Sequence, residues 1–274
     1  MSFLLDTHYH TDFLPGKDLR QTFLEEAKKE GFIPVHMSLM PSTFAELYED
    51  LSLQTPFLAL GYHPWWIGSR EEVSKELDIF RSELTKTRYI GEIGLDFSPK
   101  GLNKASKDLQ EDVFSTILKA ILAEVHKNPS QSPYILSVHA VRSAGRIMDI
   151  YEDLGLTKEK IILIFHWFSG TGNELTRLRK MGAYVSFNAF MLKTKKGRSY
   201  SQQIEGDKIL LETDLPDEAS LLKKEEDYRL RARALAREAA CSLQSSLDTI
   251  SKLRGEAMRL KIEENQSRLY FSEY

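Results

Sequence analysis

The amino-acid sequence predicts an α/β fold, a TIM (β/α)8 barrel in a single domain that spans residues 1–274. Three observations support this fold class. Eight short β-rich runs alternate with stretches of helical periodicity along the chain. Most of these runs are continuously apolar, as expected of parallel strands that are buried on both faces. The length of 274 residues suits one such barrel, which typically takes about 250 residues.

The strand-like runs and the helix-like stretches define the predicted elements. We predict strands at residues 3–6, 33–36, 57–61, 88–91, 134–138, 161–165, 183–187 and 208–212. We predict crossover helices at 18–30, 43–53, 71–84, 107–126, 144–154 and 172–181, then a charged segment at 217–227 and closing helices within 228–258. Strands that alternate with helices indicate parallel pairing, and no linker is long enough to separate a second domain.

The composition is typical of a soluble globular protein, with 42% hydrophobic residues, 28% charged residues and a mean hydropathy of −0.35. The sequence shows neither a signal peptide nor an apolar run of membrane-spanning length, so we expect a cytoplasmic protein and, by default, a monomer. The single cysteine, Cys241, excludes an internal disulfide and a cysteine zinc cluster. A net charge of −3 argues against binding nucleic acid through a broad basic surface, so a substrate phosphate would be held locally.

Side chains that bind divalent metals recur at the ends of the predicted strands. They comprise six of the seven histidines, one glutamate and one aspartate, namely His8, His10, His36, His63, His139, His166, Glu92 and Asp214. The carboxyl ends of the strands of a TIM barrel meet at one mouth, so this pattern predicts a metal site there. A structural role is the favoured alternative for His36. His126, in a helical pattern, is predicted to be a surface residue.

The order of these residues predicts two metal ions. Asp6, His8 and His10 alternate along an extended segment, so their side chains can converge on one side. One ion would be held by His8, His10 and Asp214. The other would be held by His139 and His166, and Glu92 would bridge the two ions. Ions about 3.5 to 4 Å apart can clamp a phosphoryl group during hydrolysis.

The residue types also predict how a water would be activated. Metal ions lower the pKa of water toward about 7, and Asp214 is a carboxylate of the type that can accept the proton. A buried salt bridge is the structural alternative for Glu92 and Asp214. A mixed set of histidine and carboxylate ligands suits Zn, Mn or Co and also tolerates Mg.

Six motifs occur in a fixed order along the chain. They are Asp-Thr-His-Tyr-His at 6–10, Gly-Tyr-His-Pro at 61–64, Gly-Glu-Ile-Gly-Leu-Asp at 91–96, Val-His at 138–139, Phe-His-Trp-Phe-Ser-Gly at 165–170 and Glu-Thr-Asp-Leu-Pro at 212–216. Together they resemble the TatD family of metal-dependent deoxyribonucleases. The resemblance implies a TIM barrel, a divalent-metal site and hydrolysis of DNA phosphodiester bonds, commonly from the 3′ end. By motif, it implies the metal ligands His8, His10, Glu92, His139, His166 and Asp214.

The resemblance also places His63 at the site, where it would contact the scissile phosphate; orienting the turn is the alternative role. Two positions depart from the family pattern. Arg142 lies three residues after His139, where the family usually has an arginine two residues after that histidine. The loop at 217–219 is charged, where a Gly/Pro-rich sequence is expected.

Several residues are candidates for contact with DNA. A basic cluster follows the seventh predicted strand, where TIM barrels often bind phosphate, although a solvated basic loop is the alternative. The cluster is Lys193, Lys195, Lys196 and Arg198. Aromatic side chains can stack on unpaired bases or pack within the protein. The candidates are Tyr9, Trp65, Trp66, Trp167 and Phe168.

The predicted function is a 3′ to 5′ deoxyribonuclease on single-stranded or frayed ends, and two alternatives stay open. One is an amidohydrolase-like hydrolase of small esters, amides or lactones; many such enzymes bridge their metals with a modified lysine at the fourth strand, where this chain has Glu92. The other is a catalytically silent binding barrel. The complete set of ligands argues against it, because a buried polar cluster without a use is costly.

Overall fold

The structure is a computed structural model that describes residues 4–217, 220 and 227–271. The described strands are β1 (Leu4–Tyr9), β2 (Phe32–His36), β3 (Leu60–Tyr62), β4 (Tyr89–Asp96), β5 (Tyr134–Val141), β6 (Ile161–His166), β7 (Tyr184–Phe187) and β8 (Ile209–Leu211). The described helices are α1 (Lys17–Lys29), α2 (Pro41–Leu51), α3 (Arg70–Glu83), α4 (Pro99–Leu102), α5 (Lys107–Lys127), α6 (Ala144–Asp153), α7 (Gly172–Lys180), α8 (Ala189–Lys193), α9 (Lys195–Gln203), α10 (Tyr228–Arg254) and α11 (Ala257–Tyr270). Strands and helices thus alternate as the sequence predicts.

The chain forms two compact units. The first contains the described residues within 1–37, 47–58 and 185–272. Within it, β1 pairs in parallel with β2, with Leu4 opposite Phe32, and β7 pairs in parallel with β8, with Val185 opposite Ile209. The segment after β8 returns to β1, since the Asp214 amide donates a 3.0 Å hydrogen bond to the carbonyl of His8.

The second unit contains the described residues within 38–46 and 59–184. Its strands are parallel and lie in the order β3, β4, β5, β6, with Ile90 opposite Leu136 and Leu136 opposite Leu163. All residues of β4 are buried, as the continuously apolar strand pattern predicts for strands covered on both faces. The carboxyl ends of these four strands therefore lie side by side.

The helices begin and end where their sequence signals place them. The α3 helix begins with a capping box in which Ser69 and Glu72 bond to each other's backbone amides, and α7 begins with a second one, between Thr171 and Glu174. The predicted helical stretch at 228–258 divides into two helices, because Gly255 with φ of +100° interrupts it, and the second helix continues to Tyr270. Most of the charged segment predicted at 217–227 lies outside the described residues.

Three strands extend three or more residues beyond the ends of their predicted runs. The ends of β1, β4 and β5 lie at Tyr9, Asp96 and Val141, so metal-binding residues predicted to follow a strand lie inside one. Buried hydrogen-bond partners from distant parts of the chain allow this. Among the described residues, no helix is both long enough and apolar enough to cross a bilayer. The prediction of a single domain at 1–274 stays a prediction.

Candidate metal centre

The first unit holds three of the predicted ligands, which we name the first ligand group: His8, His10 and Asp214. His8 lies in β1 and His10 follows it directly. Their Nε2 atoms lie 3.3 Å apart, and Asp214 Oδ1 lies 3.6 Å from His8 Nε2 and 3.3 Å from His10 Nε2. Both histidines are buried, whereas 20% of the Asp214 side chain is exposed. Two imidazole nitrogens and a carboxylate oxygen therefore meet at one point, a donor set that suits a divalent cation.

Asp6 fixes the backbone of the first ligand group rather than joining it. Its carboxylate accepts hydrogen bonds from the Thr213 hydroxyl at 2.6 Å and from the backbone amides of Thr213 and His8 at 2.9 and 3.2 Å. Burial raises the pKa of Asp6 to about 8. Asp214, held next to this contact, adopts a φ of +59°, a region that aspartate enters more readily than most residues.

The second unit holds the other three predicted ligands, which we name the second ligand group: Glu92, His139 and His166. They lie in β4, β5 and β6, which are neighbours in the sheet. Glu92 Oε1 lies 2.8 Å from His139 Nδ1 and 2.7 Å from His166 Nε2. Only 3% of Glu92 is exposed. A carboxylate this deeply buried is costly without compensation, and here two imidazoles provide it.

Two glycines of the sequence motifs allow the strands to approach the second ligand group. A Cβ at Gly61 would lie 1.9 Å from the Ser38 carbonyl oxygen and 2.4 Å from the Glu92 amide nitrogen. Gly94 has φ of +141°, and a Cβ there would lie 2.1 Å from the carbonyl oxygen of His139. Backbone atoms cannot yield as a flexible side chain can, so each position requires glycine.

His63 caps a short turn and also lies beside the second ligand group. Its Nδ1 accepts a 3.1 Å hydrogen bond from the backbone amide of Trp65, at the start of the turn Pro64–Trp66. Its Nε2 lies 3.5 Å from Glu92 Oε1. A neutral imidazole whose Nδ1 is an acceptor carries its proton on Nε2, so His63 directs an N–H donor toward the site. Its contact with a scissile phosphate stays a prediction.

Asp96, at the end of β4, is a residue of this site to which the sequence assigns no role. Its Oδ2 accepts a 2.6 Å hydrogen bond from the Trp65 indole and lies 3.3 Å from His139 Nε2. Its Oδ1 accepts a 2.7 Å hydrogen bond from the Ser98 amide. The buried side chain of Gln110 bonds to the backbone amide and carbonyl of Asp96 at 2.8 and 3.0 Å. The only sequence signal for this arrangement is that Asp96 closes the motif at 91–96.

These contacts shift the pKa values of Asp96 and His139. Burial acts to raise the pKa of Asp96, but hydrogen bonds from His139, Ser98 and Trp65 hold it well below its usual range. Burial acts to lower the pKa of His139, but its hydrogen bonds to Asp96 and Glu92 raise it above its usual value. His139 therefore lies between two carboxylates, one at each ring nitrogen.

Comparison with known proteins identifies the family. The model of the family described as TatD related DNase matches residues 5–271. The chain belongs to the TatD-related DNase family. An uncharacterized metal-dependent hydrolase of Methanocaldococcus jannaschii is 25% identical over 213 residues, covering 77% of this chain and 78% of that protein. The deoxyribonuclease Tat-D of Saccharomyces cerevisiae is 27% identical over 158 residues, covering 48% of this chain and 36% of that protein.

A solved structure shows the same fold. The crystal structure of YJJV, a TatD homolog from Escherichia coli, superposes with a TM-score of 0.71 at 19% identity, covering 98% of each chain. The family resemblance and the TIM-barrel fold predicted from the sequence are both confirmed. The TatD-related chain is accordingly a metal-dependent hydrolase.

Besides His63, two further histidines of this TatD-related hydrolase lie in neither ligand group. His36 is fully buried, with its Nδ1 2.6 Å from the Thr11 hydroxyl, and burial lowers its pKa to about 3. These contacts fit the structural role favoured for it. His126 lies on the surface in an ion pair with Glu159 at 3.2 Å.

The basic cluster after β7 is helical, so its interpretation as a loop is wrong. Its residues lie at the end of α8 and in the first turns of α9. The guanidinium of Arg198 donates hydrogen bonds to the carbonyls of Leu192 and Lys193 at 3.0 and 2.8 Å. Carbonyls at a helix end lack intrahelical donors, and Arg198 satisfies them. Arg198 thus has a structural use, whereas Lys195 and Lys196 are exposed.

The aromatic side chains proposed to stack on bases differ in how far they are buried. Tyr9 is fully buried and stacks on Phe23 with ring centroids 4.5 Å apart. Phe168 is also buried and packs edge-on against Phe165. Neither ring can stack on a base, so both are wrong as base-stacking candidates.

Two tryptophans keep exposed rings in this hydrolase. Trp66 is 49% exposed and Trp167 is 38% exposed. Trp167 follows β6 with φ of +39°, and the exposed Arg142 follows β5 with φ of +56°. Non-glycine residues with positive φ cluster at functional sites, and both of these adjoin strands that carry ligands.

Proposed function

We propose that this TatD-related hydrolase is a deoxyribonuclease that removes nucleotides from the 3′ ends of single-stranded or frayed DNA with the help of two divalent ions. The observation that carries the proposal is the presence of two convergent sets of ligand atoms, one in each unit. Family membership supplies the substrate class, since the family is one of DNases and the yeast relative is named a deoxyribonuclease.

The donor atoms fit divalent cations. In the first ligand group two histidine nitrogens and a carboxylate oxygen lie within 3.6 Å of one another, and in the second, two imidazoles meet one buried carboxylate oxygen. Ions held there would supply a water nucleophile of lowered pKa and would neutralise charge on the scissile phosphate. Zn, Mn, Co and Mg all suit this mixture of ligands.

The residues of the chain then have separate tasks. Asp214 is the proton acceptor, because it is the most exposed of the six ligands and its oxygen lies next to His8 and His10. His63 directs its Nε2–H into the site, where it can donate to a phosphate oxygen. Phosphate hydrolysis builds negative charge on these oxygens, so a fixed donor favours the transition state.

The proposed contacts with DNA lie outside the ligand groups. Lys195 and Lys196 are exposed cations that can pair with backbone phosphates, and Trp66 and Trp167 expose rings on which unpaired bases can stack. Stacking requires bases that are not already stacked in a duplex, which favours single-stranded and frayed ends. We propose a cytoplasmic monomer as the working form.

The experiment is cleavage of a single-stranded oligonucleotide labelled at either end by metal-stripped protein resupplied with Mg, Mn or Zn. We expect metal-dependent shortening from the 3′ end. Asp214→Asn should lower the rate at least about 100-fold, because it removes a ligand charge and the general base. Asp78→Asn is the matched control, since the Asp78 side chain is 72% exposed on α3. If no ion supports cleavage of DNA while esters or lactones are hydrolysed, the enzyme is a small-molecule hydrolase.

A further inference from the structure

We infer that Asp96 is a positioning residue that holds the Nε2 proton of His139 and so leaves Nδ1 of the same ring as the atom that binds a metal ion. The inference rests on the proposed function in taking His139 as a ligand. His139 Nε2 lies 3.3 Å from Asp96 Oδ2, and its Nδ1 lies 2.8 Å from Glu92 Oε1. A neutral imidazole has one N–H and one lone pair. Where Glu92 binds the ion, Asp96 is the carboxylate left to accept a hydrogen bond from the ring, so Nε2 would keep the proton and Nδ1 would offer the lone pair.

The surroundings of Asp96 hold its carboxylate in place. The Trp65 indole donates to one oxygen and the Ser98 amide to the other, at 2.6 and 2.7 Å. Gln110, which is fully buried, bonds to the backbone of Asp96 on both sides. Gly101 lies so close that a Cβ there would be 2.6 Å from Asp96 Cγ. Both carboxylate oxygens accept from fixed N–H donors, so the site selects the ionised acceptor rather than a carboxylic acid or an amide.

Trp65 favours opposite proton positions on two neighbouring histidines, His63 and His139. Its backbone amide donates to His63 Nδ1, which leaves the His63 proton on Nε2. Its indole donates to Asp96, whose carboxylate faces His139 Nε2 and leaves Nδ1 for an ion. The two imidazole centroids are only 4.5 Å apart. One ring is thereby prepared as a hydrogen-bond donor and its neighbour as a ligand.

An asparagine at position 96 would reverse the proton position on His139. The Ser98 amide needs an acceptor, so the oxygen of the new side chain takes the place of Oδ1 and the NH₂ takes the place of Oδ2. That NH₂ would face His139 Nε2 and also the N–H of Trp65. Trp65→Phe removes the second donor. The pair Asp96→Asn with Trp65→Phe therefore presents one donor to Nε2, and Trp65→Phe alone is the matched control.

The test measures zinc affinity by competition with a chelating dye and the protonation of the His139 ring by ¹⁵N spectra of zinc-loaded protein. Relative to Trp65→Phe, the double variant should bind one of its zinc ions about 10- to 100-fold more weakly, while the melting temperature of the metal-stripped protein stays unchanged. Wild-type protein and Trp65→Phe should both show His139 protonated on Nε2 and bound through Nδ1.

Equal zinc affinity in Trp65→Phe and the double variant would overturn the inference. If the double variant fails to fold, the wild-type spectrum still decides, because His139 bound to zinc through Nε2 would overturn it as well. Cleavage of labelled oligonucleotides is scored separately. Zinc binding through Nδ1 without cleavage of DNA would contradict the proposed nuclease function while supporting the role of Asp96.

Discussion

Glu92 Oε1 lies 2.7 Å from His166 Nε2, although 74 residues separate the two in the sequence. The same oxygen lies 2.8 Å from His139 Nδ1. Parallel strands that adjoin in the sheet bring the three side chains together, and burial makes each depend on the others for compensation. Removing the negative charge of Glu92 should therefore have the largest effect on the second ligand group.

Glu92→Gln should lower the metal content of the purified protein from two ions per chain to one or none. Glutamine has the shape of glutamate but no negative charge, and its NH₂ can only donate to the imidazoles. Metal content is measured by mass spectrometry after dialysis against limiting zinc. Glu71→Gln is the matched control, because its side chain is 79% exposed on α3. Two ions retained by Glu92→Gln would remove Glu92 from the set of ligands.

Gly94→Ala should destabilise the fold and disturb the second ligand group together. The new Cβ would lie 2.1 Å from the His139 carbonyl oxygen, and φ of +141° is unfavourable for alanine. Strain and overpacking of this kind cost at least about 2 kcal/mol. Urea unfolding measures the loss, and Gly172→Ala is the control, because nothing lies within 4 Å of a Cβ at that position. Equal stability of the two variants would contradict the close approach.

The strands that lie buried on both faces were readable from the sequence. The runs predicted at 33–36 and 161–165 lie within one residue of β2 and β6, because uninterrupted apolar residues mark a buried parallel strand. The strand predicted at 88–91 is longer in the structure, where β4 ends at Asp96. Residues Glu92 and Asp96 interrupt the apolar pattern, but the parallel ladder continues to Asp96 opposite Val141. Residues far away in the sequence supply the partners that make buried acids tolerable, and a local pattern cannot show them.

The sequence alone predicts only part of the candidate site. Ligand types at strand ends indicated both ligand groups, since chemistry and strand order are local properties of the sequence. Asp96 was missed because its role depends on Trp65, Gln110 and His139, which meet it only in the folded chain. The sequence makes Tyr9 a stacking candidate, because it does not reveal that the ring packs against Phe23.

The buried His36 predicts a pH dependence of stability. The pKa of His36 is about 3 in the folded protein against 6.5 for an ordinary histidine. Between these two values the unfolded chain binds a proton at His36 that the folded chain does not bind. Stability should fall as pH falls from about 6.5 toward 3, by roughly 1 kcal/mol per pH unit from this residue. His36→Asn keeps a polar partner for Thr11 and cannot titrate.

The measurement is urea unfolding of metal-stripped wild-type protein and His36→Asn between pH 8 and pH 4. Other groups titrate in both proteins, so the quantity of interest is the difference between their free energies of unfolding. That difference should be constant above about pH 7.5 and should shift against the wild type in acid. A difference independent of pH would show that His36 has the same pKa in the folded and the unfolded protein, contrary to this prediction.

Lys195 and Lys196 provide the test of the proposed contact with DNA. Both are exposed in the first turn of α9, whereas Arg198 in the same helix is bonded to backbone carbonyls and is left intact. Replacing both lysines by alanine should raise KM for an oligonucleotide, leave kcat unchanged and reduce the salt dependence of kcat/KM. Each lost phosphate contact should lower the slope of log affinity against log salt by about 0.7 for single strands. Lys119 and Lys127, exposed on α5, give a control pair with the same change in net charge. If both double variants raise KM equally, the effect belongs to the overall charge of the protein, and α9 has no specific part in holding DNA.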